Sequence, residues 1–222
     1  MNQGADKTTK TTLISYESGL EKSGEDLLAT EEPLEIRINS REELLTAAVT
    51  MRTPGNDFEL ALGFLRAEGI IRSREEVLDV SYCLDSEVDP NQRFNIVKVI
   101  IDPKKELKIE TLQRHFVMSS ACGVCGKASL EALEAREDIN VQGDLKVSTE
   151  TLYGLPKTLE LAQSVFKSTG GLHAAALFTQ DGELIELRED IGRHNAVDKL
   201  LGWALMQDQL PLQDHILLVS GR

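Results

Sequence analysis

The sequence predicts a small α+β unit followed by a layered α/β domain, and three observations carry that reading. Leu34, Ile36 and Ile38 alternate with polar neighbours, the period of a strand with one face buried. Phe58, Ala61, Leu62 and Leu65 then recur at i, i+3, i+4 and i+7, the stripe of an amphipathic helix. Further on, Asp181-Gly182 separates two strand-like runs, a strong hairpin signal, and an amphipathic segment and another strand follow it.

Residues 1–30 are rich in Thr, Ser, Gly and charge without sustained periodicity, and are expected to form a mobile tail. Structure is expected from Pro33, where the first strand turns at Asn39-Ser40 into the apolar stretch 44–51 as a hairpin. Asn56, with Glu59 three residues on, reads as an N-cap, and Gly69 as the stop of that helix. Ser73 with Glu76 suggests one more capped turn, and residues 77–84 and 94–101 read as strands. The first unit is therefore drawn over residues 31–112, and the second over 113–222. In the second, Cys122-Gly123-Val124-Cys125-Gly126 is expected on a strand-to-helix turn. Pro156 is expected to open a helix that Gly170-Gly171 ends, and residues 173–179 and 183–188 to flank the hairpin turn. Asn195 is expected to cap a helix carrying Val197, Leu200, Leu201, Ala204 and Leu205 inward, before a strand over 215–219. Val219-Ser220-Gly221-Arg222 then reads as a strand entering a glycine turn, so the domain is expected to be truncated at its C-terminal end.

Composition narrows the function. Among 222 residues, 37 acidic against 24 basic side chains leave a net charge of −13, which argues against indiscriminate binding to nucleic acid or to an anionic membrane. No apolar run approaches the length of a bilayer span and no secretory h-region follows Met1, so a cytoplasmic protein is expected. Three cysteines, two of them in one Cys-x-x-Cys, fit a reducing compartment.

Cys122 and Cys125 are the first chemical candidates, because a helix start lowers a thiol's pKa and the flanking glycines keep its sulfur reachable. A redox dithiol, half of a zinc site, a persulfide carrier and inert packing all fit the motif. Zinc needs four ligands, and Cys83, His115, His173, His194 and His215 are scattered, so no metal is expected. Gly170-Gly171-Leu172-His173 reads either as a helix stop before a strand or as part of a ligand loop. The cluster from Arg188 to Lys199 collects charge, a glycine and a histidine where a strand ends and a helix begins. Arg193 and His194 there could reinforce the helix N–H groups toward an anion, with Asp198 orienting His194, or the cluster could be a salt-bridged cap.

The ordered set of motifs is more specific than any single one. Met51-Arg52-Thr53-Pro54-Gly55, Leu62-Gly63-Phe64-Leu65, the Cys122–Gly126 run, Thr169-Gly170-Gly171-Leu172-His173, the run from Glu189 to Lys199, and Ser220-Gly221-Arg222 together resemble the FdhD family of formate dehydrogenase accessory sulfurtransferases. The resemblance implies a second domain similar to cytidine deaminases and a homodimer. It implies a carrier that accepts sulfur from a cysteine desulfurase as a cysteine persulfide. That sulfur would pass to the molybdenum cofactor, bis(molybdopterin guanine dinucleotide), before the cofactor enters the formate dehydrogenase apoprotein. Cys122 would be the carrier and Cys125 its assistant, while Gly170, Gly171, His173, Arg188, Arg193, His194 and Arg222 would bind the anionic cofactor. Deamination is not expected, because His194-Asn195-Ala196 and Ser220-Gly221-Arg222 stand where a zinc deaminase has His-x-Glu and Pro-Cys-x-x-Cys. The alternative is a non-enzymatic chaperone for the cofactor or the apo-dehydrogenase, its cysteines structural or metal-binding.

Overall fold

The computed structural model describes residues 6–40, 43–85, 88–89, 92–104 and 144–221. Nine strands and four α-helices are found among them, with a three-stranded and a four-stranded sheet standing beside a separate hairpin.

Where a tail is expected, β1 (Thr8–Glu17) and β2 (Leu20–Ala29) pair along their whole length. The reason is local. Ser18 and Gly19 both take positive φ, 54° and 80°, the two-residue turn whose twist matches that of its strands. Four threonines with Ile14 and Tyr16 give β1 a strand propensity that a reading by charge and periodicity misses.

In the first unit β3 (Glu32–Ser40) and β4 (Glu43–Arg52) form the expected hairpin, and β5 (Val77–Tyr82) and β6 (Ile96–Ile101) complete a sheet of order β4-β3-β6-β5. β3 and β6 run parallel. Their alternation turns Leu34, Ile36, Ile38, Val97, Val99 and Ile101 to one face, onto α1 (Asp57–Ala67) with its buried Leu60, Ala61, Leu62, Phe64 and Leu65. Asn56 precedes the helix as expected but adopts φ 59°, and no side-chain cap forms; the neighbouring Asp57 is taken by Arg52 instead. The 3-10 turn Arg74–Glu76 forms at the predicted place, with Glu76 accepting from the Arg72 amide at 2.7 Å.

In the second unit α2 (Thr149–Ala162) begins seven residues before Pro156, because Ser148 accepts the Thr151 amide at 3.0 Å and so starts the helix first. Pro156 therefore lies inside the helix, on an exposed position. A short α3 (Ser164–Thr169) ends at Gly170, whose φ of 66° and amide bond to the Phe166 carbonyl form the expected glycine stop. β7 (His173–Phe178) is the centre of a sheet of order β8-β7-β9, with β8 (Leu184–Asp190) and β9 (Ile216–Val219) both antiparallel to it. Small residues let β7 be covered on both faces. Ala174, Ala176 and Phe178 meet Leu155 and Leu159 of α2, whereas Ala175 and Leu177 meet Ala196 and Leu200 of α4 (Arg193–Met206).

The two larger sheets are linked helix to helix, and Leu205 of α4 packs in the same core as α1. α1 and α4 cross at Gly63 and Gly202: a β-carbon on Gly63 would collide with the Asp198 carbonyl and stand 2.9 Å from the Gly202 amide nitrogen. One on Gly202 would collide in turn with the Glu59 carbonyl. Two glycines thus bring the helix backbones into contact, and the residues at the start of α4 lie against the end of β4.

Candidate functional site

The end of the second sheet gathers most of the motifs. His173 begins β7 and stands opposite Asp190, the last residue of β8. Ser220 follows β9 and locks onto β7: its amide donates to the Ala174 carbonyl and its Oγ accepts the Ala174 amide, both at 2.8 Å. The start of α4 opens beside them, so three strand ends and one helix N-terminus converge.

The cluster from 188 to 199 is split by the fold into an inner and an outer set. Asp190, Asn195 and Lys199 turn inward and are buried. The Lys199 ammonium lies 2.7 Å from Asp190 Oδ2 and donates to the Thr53 carbonyl at 2.8 Å. Asp190 also accepts from the Thr53 amide at 3.1 Å, the Gly192 amide at 2.8 Å and Asn195 Nδ2 at 3.0 Å. Asn195, predicted to be the cap, instead sits within the helix, while Gly192 takes the N-cap position and accepts the Ala196 amide. The Asn195 amide group is used on the Met51 carbonyl at 2.7 Å, and the Thr53 hydroxyl accepts the Ile191 amide at 3.2 Å. Burial lowers the Lys199 pKa, with the charge of Asp190 opposing that shift.

Arg52, next to Thr53, ties the same chain segment to the first unit. Its guanidinium grips Asp57 through two bonds of 3.1 and 3.0 Å, and reaches the Phe94 carbonyl and Asn95 Oδ1. Tyr82 donates to Asp57 at 3.1 Å, and its own pKa is raised by burial and by the Asp57 charge. Met51-Arg52-Thr53 is therefore a latch between the units. Sequence reasoning did not find it, although one signal was present: charged residues at the ends of apolar elements that only another charge could bury.

The outer set comprises Arg193 and His194, both exposed in the first turn of α4. Arg188, predicted beside them, is committed elsewhere. Its guanidinium pairs with Glu59 of α1 and with Glu186, so two carboxylates absorb its charge. Gly170 and Gly171 form the α3 stop, with Gly171 packed near Ala29 of the hairpin. Glu189 accepts the Val165 and Phe166 amides and so fixes the start of α3. Cys122, Cys125 and Arg222 lie outside the described residues. Cys83 is buried at the end of β5 and donates its thiol hydrogen to Asp85 at 3.0 Å. Among the described residues no group of three His, Cys, Asp or Glu is placed to hold a metal ion.

His194 and Asp198 share a helical face as predicted, yet no hydrogen bond joins them. Both line a cavity of about 30 Å³ with Thr50, Asn195, Ile36, Ala48, Leu60 and Phe64. Burial, and then the charges of Glu68 and Asp190, push the Asp198 carboxyl up to about 7. The folded chain therefore holds a proton that the unfolded chain releases at an ordinary carboxylate pKa. The sign follows: this group's contribution is most favourable below about pH 4, erodes as pH rises toward 7, and is constant above. Asp198→Asn is expected to be more stable than the parent at pH 8, by on the order of 2–4 kcal/mol, with the difference vanishing near pH 4. Urea melts of both proteins between pH 4 and 8 check this, and parallel pH profiles would refute it.

Fold and site define a class: a mixed α/β protein whose two larger sheets are tied together by a buried polar latch, with a basic helix start open to solvent. The chain belongs to the FdhD/NarQ family, whose sequence profile matches residues 29–222. It is 47% identical over 217 residues to the sulfur carrier protein FdhD of Streptomyces avermitilis, covering 97% of this chain and 76% of that one. The protein of the same name from Mycobacterium tuberculosis is 49% identical over 201 residues, 89% of this chain and 71% of its own. That from Sulfolobus acidocaldarius is 43% identical over 216 residues, 96% and 76%. A crystal structure described as a formate dehydrogenase accessory protein, from Desulfotalea psychrophila, superposes with a TM-score of 0.68. It is 20% identical and is covered to 75% by 98% of this chain, a likeness of fold. Among the described residues no helix is long and apolar enough to cross a membrane.

Proposed function

We propose that the protein is a sulfur carrier, a sulfurtransferase that serves formate dehydrogenase maturation. The observation that carries this reading is a 43–49% identity to proteins named sulfur carrier protein FdhD, in a chain that has Cys122-Gly123-Val124-Cys125-Gly126. In the chemistry that follows, the Cys122 thiolate attacks the outer sulfur of a cysteine desulfurase persulfide. The donor S–S bond breaks, the desulfurase leaves as thiolate, and Cys122 carries the new persulfide. Attack by the Cys125 thiolate on the inner sulfur of Cys122 then releases hydrosulfide and leaves a Cys122–Cys125 disulfide, which a cellular thiol reductant returns to the dithiol.

The acceptor is the molybdenum cofactor as substrate, and the residues fit its anionic groups at one place. The first-turn amides of α4 have no intrahelical acceptor, and Arg193 and His194 flank them in solvent. The nearby acid Asp190 is neutralised by Lys199, so it does not repel a phosphate there. His173 and Gly221 stand at the neighbouring strand ends, with Arg222 next in the chain. Arg188 acts at second hand, by holding α1 through Glu59.

Incubation with a cysteine desulfurase and cysteine should add the mass of one sulfur atom to the intact protein. Cys122→Ala should lose that gain and Cys83→Ala keep it. No gain in the parent, or added sulfur mapped to Cys83, would leave the chaperone alternative standing.

A further inference from the structure

The small cavity beneath the start of α4 holds a carboxyl that the latch leaves out. β4 gives this cavity Thr50, α1 gives it Leu60 and Phe64, and α4 gives it His194, Asn195 and Asp198. Its polar groups divide by whether they are already used. Asn195 spends both amide hydrogens on Met51 and Asp190, and its Oδ1 accepts from the Thr50 hydroxyl at 3.3 Å. Asp198 is different: among the described residues its carboxyl has no hydrogen-bond or ion-pair partner.

An unpartnered carboxyl is governed by its surroundings and by the charges that face it. Glu68 faces Asp198 from α1 and Asp190 from β8, the latter compensated by Lys199. β3 and β4 present no charged side chain to the cavity. Burial and two like charges therefore push the carboxyl up to about 7, where a small change of local field adds or removes its proton. His194 lines the same cavity one helical turn nearer the helix start and is exposed on its outer side. The cavity, of about 30 Å³, admits a water. With the carboxyl, the imidazole and the Thr50 hydroxyl as partners, that water gives the proton a path to solvent. The helix start itself is close: five to six residues of α-helix separate its first amides from Asp198, roughly 8 Å along the axis.

We propose that Asp198 makes anion binding at the start of α4 a proton-coupled event: an anion seated on the first-turn amides, Arg193 and His194 drives the Asp198 carboxyl to its neutral form, and loss of that proton promotes release. The proton comes from solvent on binding and returns there on release, and no other bond is made or broken. This rests on the anion-site reading above and adds the control of that site by pH. The coupling is reciprocal, because a bound anion that favours the protonated carboxyl is itself bound more tightly when the carboxyl is protonated. Affinity therefore falls as pH rises through neutrality. For two like charges at this separation the two protonation states differ in affinity by roughly tenfold.

Sulfate is a suitable probe, since it stays a dianion across neutrality. Sodium sulfate is titrated into the full chain at constant ionic strength between pH 6.5 and 8.5, and binding is read from the amide resonances of residues 193–196. Over that range the dissociation constant of the parent should rise by about threefold or more beyond any rise in Asp198→Asn. His194→Gln in both backgrounds removes the imidazole, the other side chain there of a type that changes charge near neutrality, and the difference between the backgrounds should persist. Glu68→Gln removes a negative charge facing Asp198 and leaves the start of α4 untouched, so the rise should move to lower pH. A carboxyl that only holds structure would give no such movement. Parallel profiles in the parent and Asp198→Asn, with sulfate bound at α4 in both, would overturn the coupling and leave the anion site standing. No sulfate-induced shift at residues 193–196 at any pH would overturn the anion site and the coupling with it, while sulfur uptake at Cys122 stands or falls by its own assay.

Discussion

Gly202→Ala and Gly63→Ala are each expected to destabilise the protein by at least ~3 kcal/mol, at or above the upper end of ordinary overpacking. The added methyl in either helix meets main chain of the other, not a side chain that can change rotamer. Relief requires α1 and α4 to move apart, and that separation would loosen the contacts that place Asp190, Asn195 and Lys199 against Met51 and Thr53. Gly154→Ala is the control of opposite sign. It lies exposed in α2 with nothing within 4 Å of an added β-carbon, so it should stabilise by roughly 0.5–1 kcal/mol, the helix preference of Ala over Gly. Urea unfolding of the three variants separates a packing effect from a propensity effect, since propensity alone would make all three more stable.

Breaking the latch is the second large effect. Lys199→Met is expected to cost about 3–5 kcal/mol, because it leaves Asp190 ionised and buried with amide donors alone. Asp190→Ala should cost more. It strands the Lys199 charge together with the Thr53 amide, the Gly192 amide and the Asn195 side chain, three donors that Asp190 otherwise satisfies. The double variant should not recover stability to that of the parent, since removing both charges still orphans those donors. Equal costs for the two single variants would show that the ion pair alone, and not the donor set around Asp190, holds the units together. A Lys199→Met protein that still takes up sulfur would place the latch outside the transfer chemistry.

Legibility followed how local each cause was. The β3–β4 hairpin, α1, the Asp181-Gly182 turn and the Gly170 stop came from spacing, turn residues and chirality, all of which act within a few residues. The errors also had local rivals that won. Ser148 outcompeted Pro156 as a helix start, Gly192 displaced Asn195 from the cap, and Ser18-Gly19 closed a hairpin in a stretch too charged to read as strands. Arg188 shows a different failure. Its place beside Arg193 in sequence suggested one basic site, but β8 turns its side chain toward α1 and into Glu59 and Glu186.

By itself the sequence determined the order of most elements after residue 30, the motifs that mark the family and the Cys-x-x-Cys on which the proposed chemistry rests. Those are properties of residue type and spacing. Only the tertiary structure decided which charges in the 188–199 cluster face solvent and which are buried. A helix start and a strand end offer every polar side chain two choices, inward or outward, and the choice depends on partners far away in the chain. Thr53 and Met51 supply those partners to Asp190, Asn195 and Lys199 across more than 130 positions, while Arg193 and His194 find none and remain in solvent. The close approach that brings the partners together rests on Gly63 and Gly202, two residues whose importance lies in an absent methyl group and is legible only when both helices are in place.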